Sequence, residues 1–188
     1  MRMVRALILF SIGIALVISL IACEKEVCGN KCLNGGICNF ITETCLCVEG
    51  YTGSNCGTQM TPSAIRITSV SVTKFPATHN GSNWDSQDGP DIYFQILDRQ
   101  TLLFELDTII ENADPNKDYL FPIANVEVTH VTGEHTIQLL EFDDVLSHEW
   151  MGGVLFTPYW SDTNHFPSKI ELDAGSGVAF TLNIEYVF

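Results

Sequence analysis

The strongest pattern in the chain is a two-residue alternation at its C-terminal end. Val178, Phe180, Leu182, Ile184, Tyr186 and Phe188 fall on one face, with Ala179, Thr181, Asn183, Glu185 and Val187 on the other. That period predicts a β-strand with one buried face. The same period opens the region: Ile65 and Ile67, then one phase later Val70 and Val72, alternate with Arg66, Thr68, Ser71 and Thr73. The change of phase predicts a bulge near Ser69, because one extra residue shifts every later side chain to the other face. Further runs predict strands over 92–97, 102–106, 126–131, 136–142, 150–156 and 169–172, the first two joined by the turn Asp98-Arg99-Gln100. No stretch sustains a helical period. Short strands separated by Gly, Pro, Asn and Asp turns predict an eight-stranded antiparallel β-sandwich over 65–188.

Upstream of 65 the pattern is different. Arg2 and Arg5 precede an apolar run from Ala6 to Ala22, broken only by Ser11, Gly13 and Ser19. This is the layout of an export signal, so 1–22 are expected to stay outside the fold. The segment 57–64, Gly57-Thr58-Gln59-Met60-Thr61-Pro62-Ser63-Ala64, has linker composition. Between signal and linker lie all seven cysteines of the chain. An odd number in an exported protein calls for an explanation, and Cys23 supplies it. Leu20-Ile21-Ala22-Cys23 resembles the lipobox of bacterial lipoproteins. The resemblance implies that Cys23 carries a covalent lipid and that 23–27 form a short tether to a bacterial membrane, facing the periplasm or the cell surface. Acyl chains contribute about 0.8 kcal/mol per buried methylene, so two or three of them anchor stably.

Six cysteines remain, at 28, 32, 38, 45, 47 and 56, within 29 residues. So short a segment buries no core of its own and must be held by cross-links, which requires an oxidising compartment. Spacing alone leaves the pairing open. A zinc site fits poorly, since no Cys-x2-Cys pair is present. Cys32-Leu33-Asn34-Gly35-Gly36-Ile37-Cys38, Cys45-Leu46-Cys47 and Gly50-Tyr51-Thr52-Gly53-Ser54-Asn55-Cys56 resemble the epidermal growth factor (EGF)-like module. That resemblance covers 28–56 and implies the disulfides Cys28–Cys38, Cys32–Cys45 and Cys47–Cys56. Glu24 to Val27 and Asn39 to Ile41 fit the calcium-binding variant of that family badly, so the module is expected to be a rigid spacer or adhesive unit.

Charge adds a second feature. Without Arg2 and Arg5, seven basic residues face 23 acidic ones, a formal charge of −16 for the exported part. Nucleic acid and bare anionic lipid are therefore unsuitable partners through any basic patch. The acidic residues are concentrated: Glu141, Asp143, Asp144 and Glu149 crowd one loop, and Asp85, Asp88 and Asp91 another. Like charges so close repel unless a cation sits among them, and calcium takes six to eight hard oxygens from such loops. Asp85-x5-Asp91-Ile92-Tyr93-Phe94 and Glu141-Phe142-Asp143 with Glu149-Trp150-Met151-Gly152 resemble the first and third calcium loops of the C2 domain. The resemblance implies a calcium- and phospholipid-binding sandwich whose metal ligands are Asp85, Asp91, Glu141, Asp143 and Glu149. It also implies the type II strand order, with the strand at 178–188 closing the fold, and a contact with a membrane or partner through Val145 and Leu146 at the loop tip. Two of these ligands are glutamates where the family has aspartates, and Ile92 replaces its proline.

Catalysis is not expected. His79, His130, His135, His148 and His165 form no His-Glu-x-x-His pair, and Gly175-Ser176-Gly177 lacks the flanks of a nucleophile elbow. The expected function is that of a lipid-anchored protein whose head binds calcium and, through it, a membrane, protein or glycan. The alternatives are a metal-independent structural or adhesive head, and a carbohydrate-binding module using Trp84, Trp150 and Trp160.

Overall fold

The structure, a computed structural model, describes residues 28, 31–85, 88–143, 148–161, 165–173, 175 and 177–188. The expected signal 1–22, the lipidation site Cys23 and the tether 23–27 lie outside the described residues. Two compact units are present, Met1–Gln59 and Met60–Phe188.

The first unit is built on cross-links. β1 (Ile37–Asn39) and β2 (Thr44–Leu46) form an antiparallel hairpin in which Cys38 lies opposite Cys45. Each of these two cysteines is bonded back to the preceding segment, Cys38 to Cys28 and Cys45 to Cys32. Cys47–Cys56 closes the remainder, next to the short pair β3 (Tyr51–Thr52) and β4 (Thr58–Gln59). The pairing is the one the EGF-like resemblance implies. Cys56 is fully buried while Leu33, Ile37, Phe40, Ile41, Leu46 and Val48 are all exposed. Cystines thus stand in for a hydrophobic core. Strand β4 falls within 57–64, so the module runs two to three residues further than its last cysteine and the linker is correspondingly shorter.

The second unit is an eight-stranded antiparallel sandwich. Its strands are β5 (Ala64–Lys74), β6 (Ile92–Asp98), β7 (Thr101–Glu105), β8 (Tyr119–Val128), β9 (His135–Glu141), β10 (Glu149–Phe156), β11 (Lys169–Asp173) and β12 (Ala179–Val187). One sheet has the order β10-β9-β6-β7 and the other β11-β12-β5-β8. No helix occurs among the described residues. The alternating residues read from the sequence supply the inner faces: Ile65, Ile67, Val70, Val72, Phe180, Leu182 and Ile184 from one sheet meet Phe94, Ile96, Ile137 and Leu139 from the other. Phe94 and Phe121 touch edge to face across the layers, with centroids 5.5 Å apart.

The bulge expected near Ser69 is present as a register shift between Ile67 and Ser69 against β8. One strand differs from its expected limits. β8 starts at Tyr119 rather than near Val126, and it contains Pro122. Proline cannot donate to a ladder, so it argues against a strand in the sequence. Here it is tolerated because β8 is an edge strand and Pro122 pairs with Ser69 at the bulge.

Candidate functional site

The two acidic loops meet at one end of the β10-β9-β6-β7 sheet. Ile92, Glu141 and Glu149 form one row across β6, β9 and β10, so the first residue of β6, the last of β9 and the first of β10 lie side by side. Asp91 precedes that row and Asp143 follows it. The Phe142 N–H donates to the Asp91 carbonyl at 2.6 Å, which ties the two loops together at their bases.

Glu141 is the centre of the group. In β9 the inward phase is His135, Ile137, Leu139, Glu141, so the period that buries two aliphatic residues also buries this carboxyl, which is 2% exposed. Its Oε1 has no hydrogen-bond partner among the described residues. Burial, then the neighbouring charge of Asp85, push its pKa from the ordinary 4.5 up to about 7; Asp143 and Asp91 add to the rise, and the Asp91 backbone N–H, which donates to it, opposes it. Asp85 is raised as well, by burial and by Asp91, Asp88 and Asp143, with a hydrogen bond to Glu141 acting the other way. A bond between two carboxyls requires a shared proton, and so marks a place where negative charge is already in excess.

Four of the five expected ligands, Asp85, Asp91, Glu141 and Asp143, are thus close enough to act on one another. Asp88, in the same loop, joins them. Two carboxylates are also engaged elsewhere. Asp91 Oδ1 accepts the Asn112 N–H at 2.8 Å, and Glu149 lies 3.5 Å from His79 Nδ1. No three His, Cys, Asp or Glu side chains among the described residues converge as a finished metal site. The donors do suit calcium in kind: hard carboxylate oxygens, one of them buried and unsatisfied, on two loops. Val145 and Leu146, expected at the loop tip, lie outside the described residues.

A set of rings lies around this end of the sandwich. Tyr93 OH is 2.5 Å from His148 Nδ1, and the His148 ring packs against Phe142 at 4.6 Å. Trp84 stacks on His79 at 4.8 Å and donates its indole N–H to the Pro76 carbonyl at 2.8 Å, so it is a structural tryptophan. Trp150 is 61% exposed and Trp160 47%.

The opposite end of β9 holds the other buried polar residue. His135 is fully buried, paired in register with Asp98 of β6. Its Nδ1 lies 3.1 Å from the Gly133 carbonyl, and its Nε2 faces Asp98 Oδ1 at 4.0 Å, beside His130 Nδ1 at 3.3 Å from the same oxygen. The role of Glu141 as an inward-facing residue was visible in the alternation of β9; that of His135 was visible in the same way.

No family model matches the chain. A stretch of 39 residues, 19% of the chain, is 49% identical to the toxin Bcs III 15.09 of Bunodosoma caissarum and covers 87% of that protein. Among solved structures, the two C2 domains of Extended-Synaptotagmin 2 align over 74% of this chain with a TM-score of 0.42 and 16% identity. The alignment takes in 47% of that structure, so the chain spans about half its length.

Proposed function

Through its cysteine-rich module the chain belongs to the family of that toxin, and from this premise we propose that the module is the spacer of an exported, lipid-anchored protein whose β-sandwich head binds calcium. Three disulfides call for an oxidising compartment, outside the cytoplasm. The head works by binding rather than catalysis. Calcium enters between the 83–91 and 141–149 loops and is held by Asp85, Asp91, Glu141 and Asp143, with Glu149 joining if it leaves His79. Bound there, it supplies positive charge that relieves the repulsion among these carboxylates and fixes the two loops for contact with a membrane, protein or glycan partner. The observation that supports this reading best is the buried, unsatisfied Glu141 Oε1 among carboxylates of the same charge.

The test is a calcium titration followed by melting. A ligand that binds only the folded state stabilises it by RT ln(1 + [L]/Kd), about 2.7 kcal/mol at a hundred times Kd. The head is expected to melt higher in millimolar calcium than in chelator, and the gain should vanish in Asp91→Asn/Asp143→Asn. Equal melting temperatures in calcium and chelator for the unsubstituted chain would refute the reading. One observation favours a second reading, carbohydrate recognition without metal: Trp150 and Trp160 both present large exposed apolar faces. Glycan binding that persists in chelator and is lost in Trp150→Ala would select it.

A further inference from the structure

The hairpin of the cysteine-rich module is two-faced. Cys38 and Cys45 point to one side, where their disulfides lie, and the alternation of β1 and β2 therefore puts Ile37 and Leu46, which are register partners, on the other. Nothing among the described residues covers them: they are 69% and 57% exposed. At the tip, Phe40 is 74% and Ile41 94% exposed. The turn that presents them is fixed, since Asn39 Oδ1 accepts the backbone N–H groups of Ile41 at 3.0 Å and Thr42 at 3.2 Å. Two disulfides hold the strands behind it. Four apolar side chains are thus presented to solvent on a rigid support, in a unit too small to have spare hydrophobic residues.

Two observations select the occupant. The first is charge. Between 28 and 59 the only charged residues are Lys31, Glu43 and Glu49, whereas 60–188 carries five basic and 19 acidic residues. The strongly acidic part is repelled by phosphate headgroups, and the nearly neutral module is not. The second is position. The apolar run 6–22 and Cys23 end five residues before Cys28, a span of at most about 18 Å of extended chain. Any lipid attachment at this place keeps the module at the bilayer surface, where even a weak apolar contact is made intramolecular and effective.

We propose that Phe40 and Ile41, with Ile37 and Leu46 behind them, form a lipid-contact surface that seats the module on a bilayer of low charge. The proposal rests on the lipid-anchored reading of Cys23, and its test is arranged to be independent of it. The chain from Cys23 onward, which contains both folded units, is coupled through the Cys23 thiol to a maleimide lipid in phosphatidylcholine vesicles, in chelator so that the head takes no calcium. Phe40→Trp then reports depth, read as the emission it adds to that of the unsubstituted chain. With brominated acyl chains this added emission is expected to fall about twofold or more against plain vesicles, since apolar residues of an interfacial surface reach the acyl boundary. Adding Ile37→Ser and Ile41→Ser should restore the emission, and Ile41→Leu should not. Equal added emission in brominated and plain vesicles would overturn the proposal and leave the hairpin as a protein-contact surface. The lipid-anchor reading is decided separately, by the mass of the amino-terminal peptide of the native protein.

Discussion

The buried carboxyl of Glu141 makes a prediction about stability that needs no calcium. Its pKa is 4.5 ordinarily and about 7 in the fold. The folded chain therefore binds a proton more tightly than the unfolded one between these values, and stability must fall as pH rises through that window. Below about 4.5 the group costs nothing, and above about 7 the full cost is present. A shift of this size corresponds to about 3 kcal/mol at most. Solvent reaching the group from the loop side screens it, which reduces the expected cost to about 1–2 kcal/mol. For a domain of about 130 residues that is a drop of about 3–10 °C in melting temperature.

Glu141→Gln isolates the effect. The amide keeps an oxygen for the Asp91 N–H and carries no charge, and its NH2 is a donor facing Asp85. In chelator, the unsubstituted chain is expected to melt several degrees lower at pH 8 than at pH 5, and the variant to lose most of that slope while melting higher at pH 8. Thermal unfolding by near-ultraviolet circular dichroism, which reports the aromatic core, reads both. The reasoning fails if the slope is the same in both chains, because the pH dependence would then come from other groups.

Three further outcomes follow from the same structure. Reductant should unfold the 28–59 module while leaving the head, which contains no cysteine, melting as before; limited proteolysis in dithiothreitol would cut the module first, since each loop of about ten residues closed by a disulfide is worth about 2–3 kcal/mol. Phe94→Ala should cost about 3–5 kcal/mol in urea unfolding, because Phe94 is fully buried against Phe104 and Phe121. Glu149→Gln should change stability by less than about 1 kcal/mol, the range of an exposed ion pair, and should weaken calcium binding less than Asp143→Asn does, because its carboxylate already faces His79. A calorimetric titration that ranks Glu149→Gln as the more damaging substitution would place the ion differently.

The fold was largely legible because its strands obey the rule that makes them strands. Residues 178–188 alternate over their whole length, and their apolar phase is the buried one. The phase change at Ser69 announced a bulge because a slip of one residue cannot be hidden in a half-buried strand. Tyr119–Val128 was not legible at its start, since Pro122 breaks a local rule that only its place at an edge and at a bulge excuses. The site was legible as a composition, two loops with too many carboxylates, but not as a geometry. What sequence could not give is that Asp88 belongs with the group, that Glu149 is drawn to His79, and that Asp91 spends an oxygen on Asn112. Each depends on where a loop folds back, which no period encodes.

The two ends of β9 show why the acidic end is the one that asks for an external ion. His135 and Glu141 are the two polar residues buried among those described, each at an end of the same strand and each with one unsatisfied atom. At the His135 end the unsatisfied nitrogen faces an acceptor, Asp98, 4.0 Å away. A small movement completes that contact from within the chain. At the Glu141 end the nearest groups are Asp85, Asp91 and Asp143, and no lysine or arginine is among the charges that act on Glu141 or Asp85. No movement among carboxylates satisfies a carboxylate, apart from sharing a proton. A proton and a calcium ion are therefore competing solutions to the same local excess of charge. The proton is the one available inside the chain, and it fails as pH rises above about 7, where the fold keeps the cost of Glu141 unless a cation is present.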